Sequence, residues 1–296
     1  MITRRGFFKF FGGVVLAGAA LGSYAFAIEP GFLLRTQHYA LTPPRWTPGL
    51  KLRLALLADP HLIEPYMPLR RWGRIIDAAN AMDADLILLL GDYVAGHFFR
   101  TGTVPVAQMA REAQRLRAPL GVHAILGNHD WWDDLSAQKA GHGPILAQRA
   151  LEDNGIPVLA NRAIRLAKGN TPFWLTGTDS MVAIARGRGR FEGRDDLAGA
   201  LAQVSDDAPV IHLAHEPDLF TKIPARVSLT LSGHTHGGQV RLFGWSPVTP
   251  SAYGNRFAYG HIVENNRHLI VSGGLGCSIM PVRFGVPPEI TLIDLG

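Results

Sequence analysis

Cysteine and charged residues are both scarce in this chain of 296 residues. Its single cysteine, Cys277, excludes an intrachain disulfide, and we expect it to be a small buried apolar side chain. Charged residues make up 18% of the chain, below the average of about 25% for soluble proteins. The sequence contains no internal repeat and no low-complexity tract, and its length is sufficient for one large domain with a full core.

The N-terminal 27 residues differ in character from the rest. Residues 3–9 read TRRGFFK, which resembles a twin-arginine (Tat) export signal, and residues 10–28 are uncharged. Residues 25–27 read AFA, a pattern typical of a signal cleavage site, so we predict cleavage after Ala27. The Tat export machinery would then be a partner, and the mature protein would reach the periplasm or the outer face of the inner membrane. The alternative is an uncleaved N-terminal anchor, because the uncharged stretch is long enough to span a bilayer.

The charge balance gives no sign of a nucleic-acid partner. The net charge of +5 includes Arg4, Arg5 and Lys9 of the export segment. Without them, 26 basic side chains face 24 acidic ones, a net charge of +2. Binding to nucleic acid requires a basic patch or stripe, and none is evident.

Five short polar motifs each follow an apolar run. The runs at residues 52–58, 86–90, 122–126, 210–214 and 227–232 are rich in Leu, Val and Ile and predict buried strands. The motifs after them contain Asp59, His61, Asp92, Asn128, His129, Asp130, His215, His234 and His236. Polar residues beyond the carboxyl ends of strands lie where open α/β sheets bind ligands. Glycines precede Asp92, Asn128 and His234, which predicts tight turns with positive φ at those glycines.

Seven of these residues form a set of potential metal ligands. Two carboxylates, one amide oxygen and four imidazoles suit Zn²⁺, Fe or Mn²⁺, whereas Ca²⁺ and Mg²⁺ prefer oxygen ligands. Seven ligands exceed the needs of one four-coordinate zinc ion, and they fit two ions that share a carboxylate. The predicted cofactors are therefore two divalent ions, Mn, Fe or Zn. Two such ions roughly 3.5–4 Å apart are suited to phosphoryl displacement.

The five motifs, in this order, resemble the calcineurin-like metallophosphoesterase superfamily over nearly all of the chain after about Lys51. Residues 233–239 (GHTHGGQ) and 272–290 (SGGLGCSIMPVRFGVPPEI) are similar to the exported, YaeI/YkuE-like branch of bacterial envelope phosphoesterases. The resemblance implies a first metal ion bound by Asp59, His61 and His236, and a second bound by Asn128, His215 and His234, with Asp92 bridging both. It implies in-line attack on phosphorus by a hydroxide held between the metals. His129 would stabilise the developing charge and protonate the leaving oxygen, and Asp130 would orient its ring.

Strands and helices alternate in the first half of the chain, and helices become fewer afterwards. Helices are predicted at 69–82, 106–116, 145–154 (capped by Gly155) and 195–204, and further strands at 173–177, 269–271 and 290–295. Residues 28–50 contain four prolines and predict a linker that leads into a domain at 51–296. We expect an α/β (α+β-like, four-layer) fold of two facing mixed sheets flanked by helices. The dinuclear metal site would lie at the carboxyl ends of the strands.

Several residues outside the motifs are candidates for substrate or membrane contact. His97, in the loop after Asp92, and Arg283, in the branch-specific stretch, are predicted to bind substrate. Trp131 and Trp132 either pack the catalytic loop or form an apolar wall beside the leaving group. The helix at 69–82 also carries Arg70, Arg71 and Arg74, which form a solvated face or contact an anionic membrane surface.

The predicted function is an exported hydrolase of a phosphodiester, phosphomonoester or pyrophosphate. Its substrate would be a phosphorylated small molecule or a lipid-linked compound of the envelope. Relatives in the resembling branch are often assigned UDP-2,3-diacylglucosamine hydrolysis, but that substrate is cytoplasmic and an exported enzyme would not meet it. The alternative function is a non-catalytic, metal-binding interaction module on the same fold.

Overall fold

A computed structural model describes residues 3–94 and 99–296, so the predicted substrate contact His97 lies outside the described residues. In chain order the strands are β1 (Arg35–Leu41), β2 (Leu52–Leu57), β3 (Ile63–Glu64), β4 (Leu86–Leu89), β5 (Gly102–Thr103), β6 (Val122–Ala124), β7 (Arg162–Lys168), β8 (Thr171–Gly177), β9 (Ile184–Ala185), β10 (Phe191–Glu192), β11 (Val210–Leu213), β12 (Leu229–Ser232), β13 (Gly260–Glu264), β14 (Arg267–Val271) and β15 (Glu289–Leu295). The helices are α1 (Arg4–Ser23), α2 (Glu29–Phe32), α3 (Leu69–Asn80), α4 (Val106–Ala113), α5 (Asn128–Trp132), α6 (Leu135–Ala140), α7 (Leu146–Asp153) and α8 (Leu197–Ala202).

Two mixed sheets form the centre of the domain. The first has five strands in the order β1-β15-β2-β4-β6, and the second has six in the order β13-β14-β12-β11-β8-β7. Strands β2, β4 and β6 run parallel to one another, as do β8, β11, β12 and β14. The carboxyl ends of the parallel strands in each sheet therefore meet at one edge, where the polar motifs follow them.

The two sheets face each other and are covered by helices on their outer sides. Side chains alternate along a strand, so β2 contributes to two cores. Leu54 and Leu56 pack between the sheets in one cluster with Leu213, whereas Leu57 packs with Trp72 of α3 on the outer side. The outer side of the second sheet packs against apolar residues of a 3₁₀ turn, Pro217–Lys222, and against α8. This four-layer α/β arrangement confirms the predicted fold.

All four predicted helices form, as α3, α4, α7 and α8, and each is shorter than predicted. Gly155 follows α7 with a φ of 77°, the left-handed conformation expected of a C-terminal glycine cap. Strands β1, β7 and β13 were not predicted. They are sheet-edge strands in which exposed and half-buried residues are mixed, so no continuous apolar run indicates them.

The residues predicted as a linker hold a strand of the first sheet. β1 pairs in parallel with β15 along its full length, from Arg35 opposite Glu289 to Leu41 opposite Leu295. Arg35 also forms a 2.8 Å ion pair with Glu289, whose side chain is fully buried. The folded domain therefore begins before residue 51.

An apolar N-terminal helix precedes this strand. The stretch Phe8–Phe32 is long and apolar enough to cross a membrane, with a mean hydropathy of 1.7. A signal sequence and a membrane anchor both have this character.

The C-terminal end of this segment contacts the domain. The buried carboxylate of Glu29 accepts hydrogen bonds from the backbone N–H groups of Gly285 (3.1 Å) and Val286 (2.8 Å). The guanidinium group of Arg71 donates to the carbonyl oxygens of Pro30 and Leu33. Arg71 is buried and holds this segment, so it does not belong to the exposed basic face predicted for its helix.

Candidate metal centre

All seven predicted ligands lie just beyond the carboxyl ends of strands and converge at one end of the facing sheets. Asp59 and His61 follow β2, Asp92 follows β4, Asn128 begins α5 after β6, His215 follows β11, and His234 and His236 follow β12. The donor atoms of six of them fall into overlapping groups that could each hold a metal ion, with all atoms of a group within 4.8 Å of one another, and one such group also includes His129. The seventh, Asn128, lies beside His234, with its Oδ1 2.8 Å from Nδ1 of that ring. The structure thus brings together all of the side chains that the sequence analysis singled out as ligands.

Five of the seven ligands have left-handed backbone conformations. Their φ values are 50° for Asp59, 44° for His61, 58° for Asp92, 69° for His234 and 53° for His236. Non-glycine residues rarely adopt positive φ, and each instance costs about 1–3 kcal/mol. Such a concentration of strain in adjacent loops is typical of a functional site.

The glycines before three ligands serve two different purposes. Gly91 has the predicted positive φ, at 90°, but Gly127, with a φ of −105°, and Gly233 do not, so the prediction was wrong for these two. They are required because other ligands pass close to them. A β-carbon at Gly127 would lie 2.7 Å from Cε1 of His215, and one at Gly233 would lie 2.6 Å from Oδ2 of Asp59.

The first ligand group consists of Asp59, His61 and His236. The Nε2 atoms of His61 and His236 face each other at 3.1 Å, and Nε2 of His236 lies 3.9 Å from Oδ1 of Asp59. The carboxylate of Asp59 is held by the backbone N–H of His234, at 2.9 Å. A cation among these atoms would satisfy both facing ring nitrogens.

The second group consists of Asp92, His215 and His234. Oδ2 of Asp92 lies 3.2 Å from Nε2 of His215, and Oδ1 of Asn128 lies 2.8 Å from Nδ1 of His234. The same Asp92 oxygen lies 3.4 Å from Nε2 of His61 in the first group. Asp92 therefore stands between the two groups, in the position of a bridging ligand.

The ring of His215 is oriented as a metal ligand. Its Nδ1 lies 2.6 Å from the carbonyl oxygen of Leu90, which accepts the ring N–H. Its buried Nε2 lies 3.2 Å from Oδ2 of Asp92 but makes no well-aligned hydrogen bond with any described residue. An N–H bond to a backbone carbonyl fixes the tautomer that leaves Nε2 free to bind a metal.

The pKa values reflect the close packing of buried carboxylates and imidazoles. Although burial alone would lower it, the carboxylate of Asp92 holds the pKa of His215 well above its usual range. Burial lowers the pKa of His61 to about 3 and that of His234 to about 4, so both rings are neutral and offer lone pairs. Burial also raises the pKa of Asp59 to about 7, because it removes the charged carboxylate from water, and the nearby charge of Asp92 adds to this effect. For Asp92, the nearby rings of His215 and His129 overcome the effect of burial and hold the pKa well below its usual range. The donor set thus fits divalent metal ions.

Asp130 has a different role from the one predicted. Its buried carboxylate accepts hydrogen bonds from the backbone N–H groups of Asp92 (2.9 Å), Tyr93 (2.9 Å) and Gly127 (2.8 Å). It is therefore engaged with the backbone of two ligand loops instead of the His129 ring. Burial, together with the charge of Asp92, raises the pKa of Asp130 to about 7.

His129 is half-buried. Its ring lies edge-on to that of His61, with ring centroids 4.9 Å apart. Its Nε2 lies 3.2 Å from Oγ of Ser278, and its backbone N–H donates to Oδ1 of Asp92 at 2.8 Å. Ser278 was not predicted as a site residue. The only sequence signal for it is its place in the branch-specific stretch at 272–290.

The two tryptophans after His129 differ in role. Trp131 is buried and donates from Nε1 to Asp179 at 2.7 Å, so it packs the loop. Trp132 is half-buried, with its ring 4.9 Å from that of His129 and stacked on Phe191 at 5.2 Å. Trp132 and Phe191 thus form an apolar wall beside His129.

Arg283 does not have the predicted position of a substrate ligand. Its side chain is fully buried, and its guanidinium group donates to the carbonyl oxygens of Gly276 (2.5 and 3.0 Å) and Val286 (2.8 Å). One of its nitrogens lies 3.3 Å from Nδ1 of His236. Arg283 supports the loop behind a metal ligand. Cys277, in the same loop, is buried as predicted.

Two cavities differ in their relation to the centre. A cavity of about 810 Å³ lies away from it, and its charged walls include the ion pairs Lys168–Asp85 and Arg53–Asp294. A smaller, largely apolar cavity of about 310 Å³ includes the metal ligand His236 and Ser278 among its walls. We regard the smaller cavity as the one relevant to the site, because it adjoins the metal ligands.

This chain belongs to the calcineurin-like phosphoesterase family, whose sequence model matches residues 52–238. It is 31% identical over 303 residues to the metallophosphoesterase YkuE of Bacillus subtilis, covering 99% of this chain and 98% of that protein. It is 30% identical over 307 residues to the phosphodiesterase YaeI of Escherichia coli, with both chains fully covered. It also matches a transmembrane protein with a metallophosphoesterase domain from Danio rerio, at 31% identity, but spans only 53% of that protein. The chain is a metal-dependent phosphoester hydrolase.

Proposed function

We propose that this hydrolase uses two divalent ions, Mn, Fe or Zn, to cleave a phosphodiester bond at the outer side of the inner membrane. The main observation is the convergence of six ligands into two groups with Asp92 between them, and of the seventh, Asn128, beside His234. When bound, the ions would activate water as the nucleophile and neutralise charge on the phosphoryl oxygens. Asp59, His61 and His236 would hold one ion, Asn128, His215 and His234 the other, and Asp92 both.

His129 would act on the leaving oxygen. It is half-buried, its backbone N–H is fixed by Asp92, and its ring lies edge-on to that of the ligand His61. Ser278 lies within hydrogen-bond distance of its Nε2 and would keep the ring oriented until that nitrogen gives its proton to the leaving group. Trp132 would shield this proton transfer from water on one side.

A diester with an apolar group is the substrate class best supported. The similar protein YaeI is named a phosphodiesterase, and the apolar cavity beside His236 offers a place for a hydrocarbon part of the substrate. A lipid-linked phosphoester of the envelope has both features. A phosphomonoester or a pyrophosphate would use the same metal centre and remains for the assay to distinguish.

The N-terminal segment supports the proposed location. The TRRGFFK sequence precedes an apolar helix that could serve as a signal or an anchor. Export by the Tat pathway would place the enzyme in the periplasm or at the outer face of the inner membrane. UDP-2,3-diacylglucosamine, a cytoplasmic compound, is then a poor candidate.

The test combines metal analysis with turnover. The chain would be purified, its Mn, Fe and Zn content measured, and hydrolysis of bis-p-nitrophenyl phosphate compared with that of p-nitrophenyl phosphate. We expect two ions per chain and faster turnover of the diester. Asp92→Asn should lose metal and activity together, whereas His129→Ala should keep its metal and lose activity by about 10²–10⁴-fold. Full activity without metal, or in either variant, would refute the proposal.

A further inference from the structure

An exposed apolar surface lies next to the metal centre. It consists of side chains from two loops, which we call the apolar lip: Leu242, Phe243, Trp245, Val248, Ile279 and Met280. Phe243 is fully exposed, and Val248 and Ile279 are 73% and 68% exposed. Clustered large apolar side chains at a surface mark a contact with a partner or a membrane.

The backbone holds parts of this lip outward at an energetic cost. Leu242 and Trp245 close a tight hairpin turn with N–H to carbonyl bonds of 2.8 and 2.9 Å, and Phe243 and Gly244 at its tip have φ values of 49° and 82°. Such turns favour Asn, Asp or Gly, and a bulky residue with positive φ is an outlier. Ile279, on the other loop, has a φ of 61°. The strained positions carry apolar side chains where polar ones would cost less.

The lip is joined directly to the metal centre. Gln239, three residues after the ligand His236, donates to the carbonyl oxygen of Met280 at 3.1 Å and accepts from the backbone N–H of Ser278 at 2.6 Å. The apolar cavity of about 310 Å³ has both His236 and the lip residues Val248, Ile279 and Met280 among its walls. An apolar passage therefore connects the lip with the side of the metal centre.

The N-terminal helical segment meets the domain at the same place. The ring of Tyr24 packs edge-on against Phe284 at 5.9 Å, and the carbonyl oxygen of Ala25 accepts from the backbone N–H of Arg283 at 2.9 Å. Phe284 in turn donates from its backbone N–H to the carbonyl oxygen of Gln239 at 2.8 Å. A helix long and apolar enough to span a membrane thus joins the domain close to the lip.

Basic side chains lie at the base of this segment. Arg70 and Arg74 are exposed, and with Ala27 and Phe32 they line a surface cavity of about 390 Å³. Phe32 itself is 81% exposed. Arginines next to apolar side chains at the root of a membrane helix complement anionic lipid headgroups.

We propose that the apolar lip inserts into the lipid bilayer, with Trp245 at the interface and with Arg70 and Arg74 at the level of the headgroups. Tryptophan is enriched at that depth. The metal centre then faces the membrane surface, and phosphoesters of the headgroup layer reach it without leaving the bilayer. The inference rests on the proposed function only for the class of substrate, because insertion of the lip is measured without any substrate.

Trp245 provides the test. It is 58% exposed, whereas the other five tryptophans are buried or half-buried, and α1 contains none. The full-length chain would be placed in nanodiscs of phosphatidylcholine and phosphatidylglycerol, with or without bromine on the acyl chains. The emission of Trp245 is the difference between the wild-type chain and Trp245→Phe. We expect brominated lipid to quench most of this difference and to leave the emission of Trp245→Phe nearly unchanged.

A matched pair of variants separates the lip from general exposure of apolar residues. Phe243→Ser, at the lip, should reduce the quenching of Trp245, whereas Val263→Ser, at an exposed apolar position on β13 outside the lip, should not. Melting temperatures would confirm that both variants fold. Equal Trp245 emission in the two kinds of nanodisc would overturn the proposal, because a lip in water or on another protein is not quenched by lipid. Loss of metal-dependent turnover with intact quenching would instead count against the proposed function alone.

Discussion

Replacing Asp130 with Asn tests whether this carboxylate positions the metal-ligand loops or acts through His129. Asn has one carbonyl oxygen, which can keep the hydrogen bonds from Asp92 and Gly127, while its amide group meets the N–H of Tyr93. A buried N–H without an acceptor costs about 1–3 kcal/mol. For a domain of this size, about 2 kcal/mol lowers the melting temperature by about 4–8 °C.

The same substitution should weaken metal binding, because the Asp130 carboxylate holds the backbone of two ligand loops. One loop carries the ligand Asp92, and the other carries Gly127 and the ligand Asn128. Calorimetric titration with Mn²⁺ would measure the affinity, and thermal unfolding would measure stability. Asp153→Asn, at the exposed end of α7, is the control and should change neither quantity. If Asp130→Asn bound Mn²⁺ and melted as the wild-type chain does, with only kcat reduced, the carboxylate would act through His129 and our reasoning would be refuted.

Three further predictions concern packing, docking and pH. Gly127→Ala should lower metal affinity and activity because its β-carbon would collide with ligand side chains, whereas Gly31→Ala, with nothing within 4 Å, should be neutral in the same titration. Glu29→Ala should expose residues 24–34 to limited proteolysis, since two buried hydrogen bonds are lost; unchanged cleavage would show that the segment is not held. Asp179→Asn should stabilise the chain at pH 8 and not at pH 4, by about 3 kcal/mol at most. Burial raises the pKa of Asp179 to about 6, so the wild-type chain loses stability as the pH rises from about 4 through 6. Oδ1 alone accepts both hydrogen bonds to this carboxylate, so the carbonyl oxygen of Asn can keep them. Equal melting shifts at both pH values would contradict this prediction.

The ligands could be predicted from sequence because each follows an apolar run that forms a buried strand. Leu54 to Leu57 of β2, for example, are completely buried on both faces, so their composition alone reveals the strand and the position of Asp59 after it. β1 gave no such signal. Its alternate side chains reach solvent at the edge of a sheet, and its partner β15 lies about 250 residues away in sequence, beyond the reach of any local pattern.

The roles of Asp130 and Arg283 were not predictable for a related reason. Asp130 follows His129 directly and Arg283 lies in the branch-specific stretch at 272–290, and both positions favour a direct chemical role. Their actual partners are backbone groups: Asp130 accepts from the N–H of Tyr93 on another loop, and Arg283 donates to the carbonyl oxygen of Gly276 in its own loop. Contacts of this kind depend on how the loops fold and leave no mark on local composition.

The position of β15 also determines when the domain can be completed during synthesis. β15 lies between β1 and β2 in the first sheet, and β2 leads directly to Asp59. Until residues 289–295 have left the ribosome, β1 has no partner in this sheet and β2 has only β4. The first sheet therefore closes only after residues 289–295 are available, so the metal loops gain their full support late in synthesis. The N-terminal apolar helix emerges long before that step.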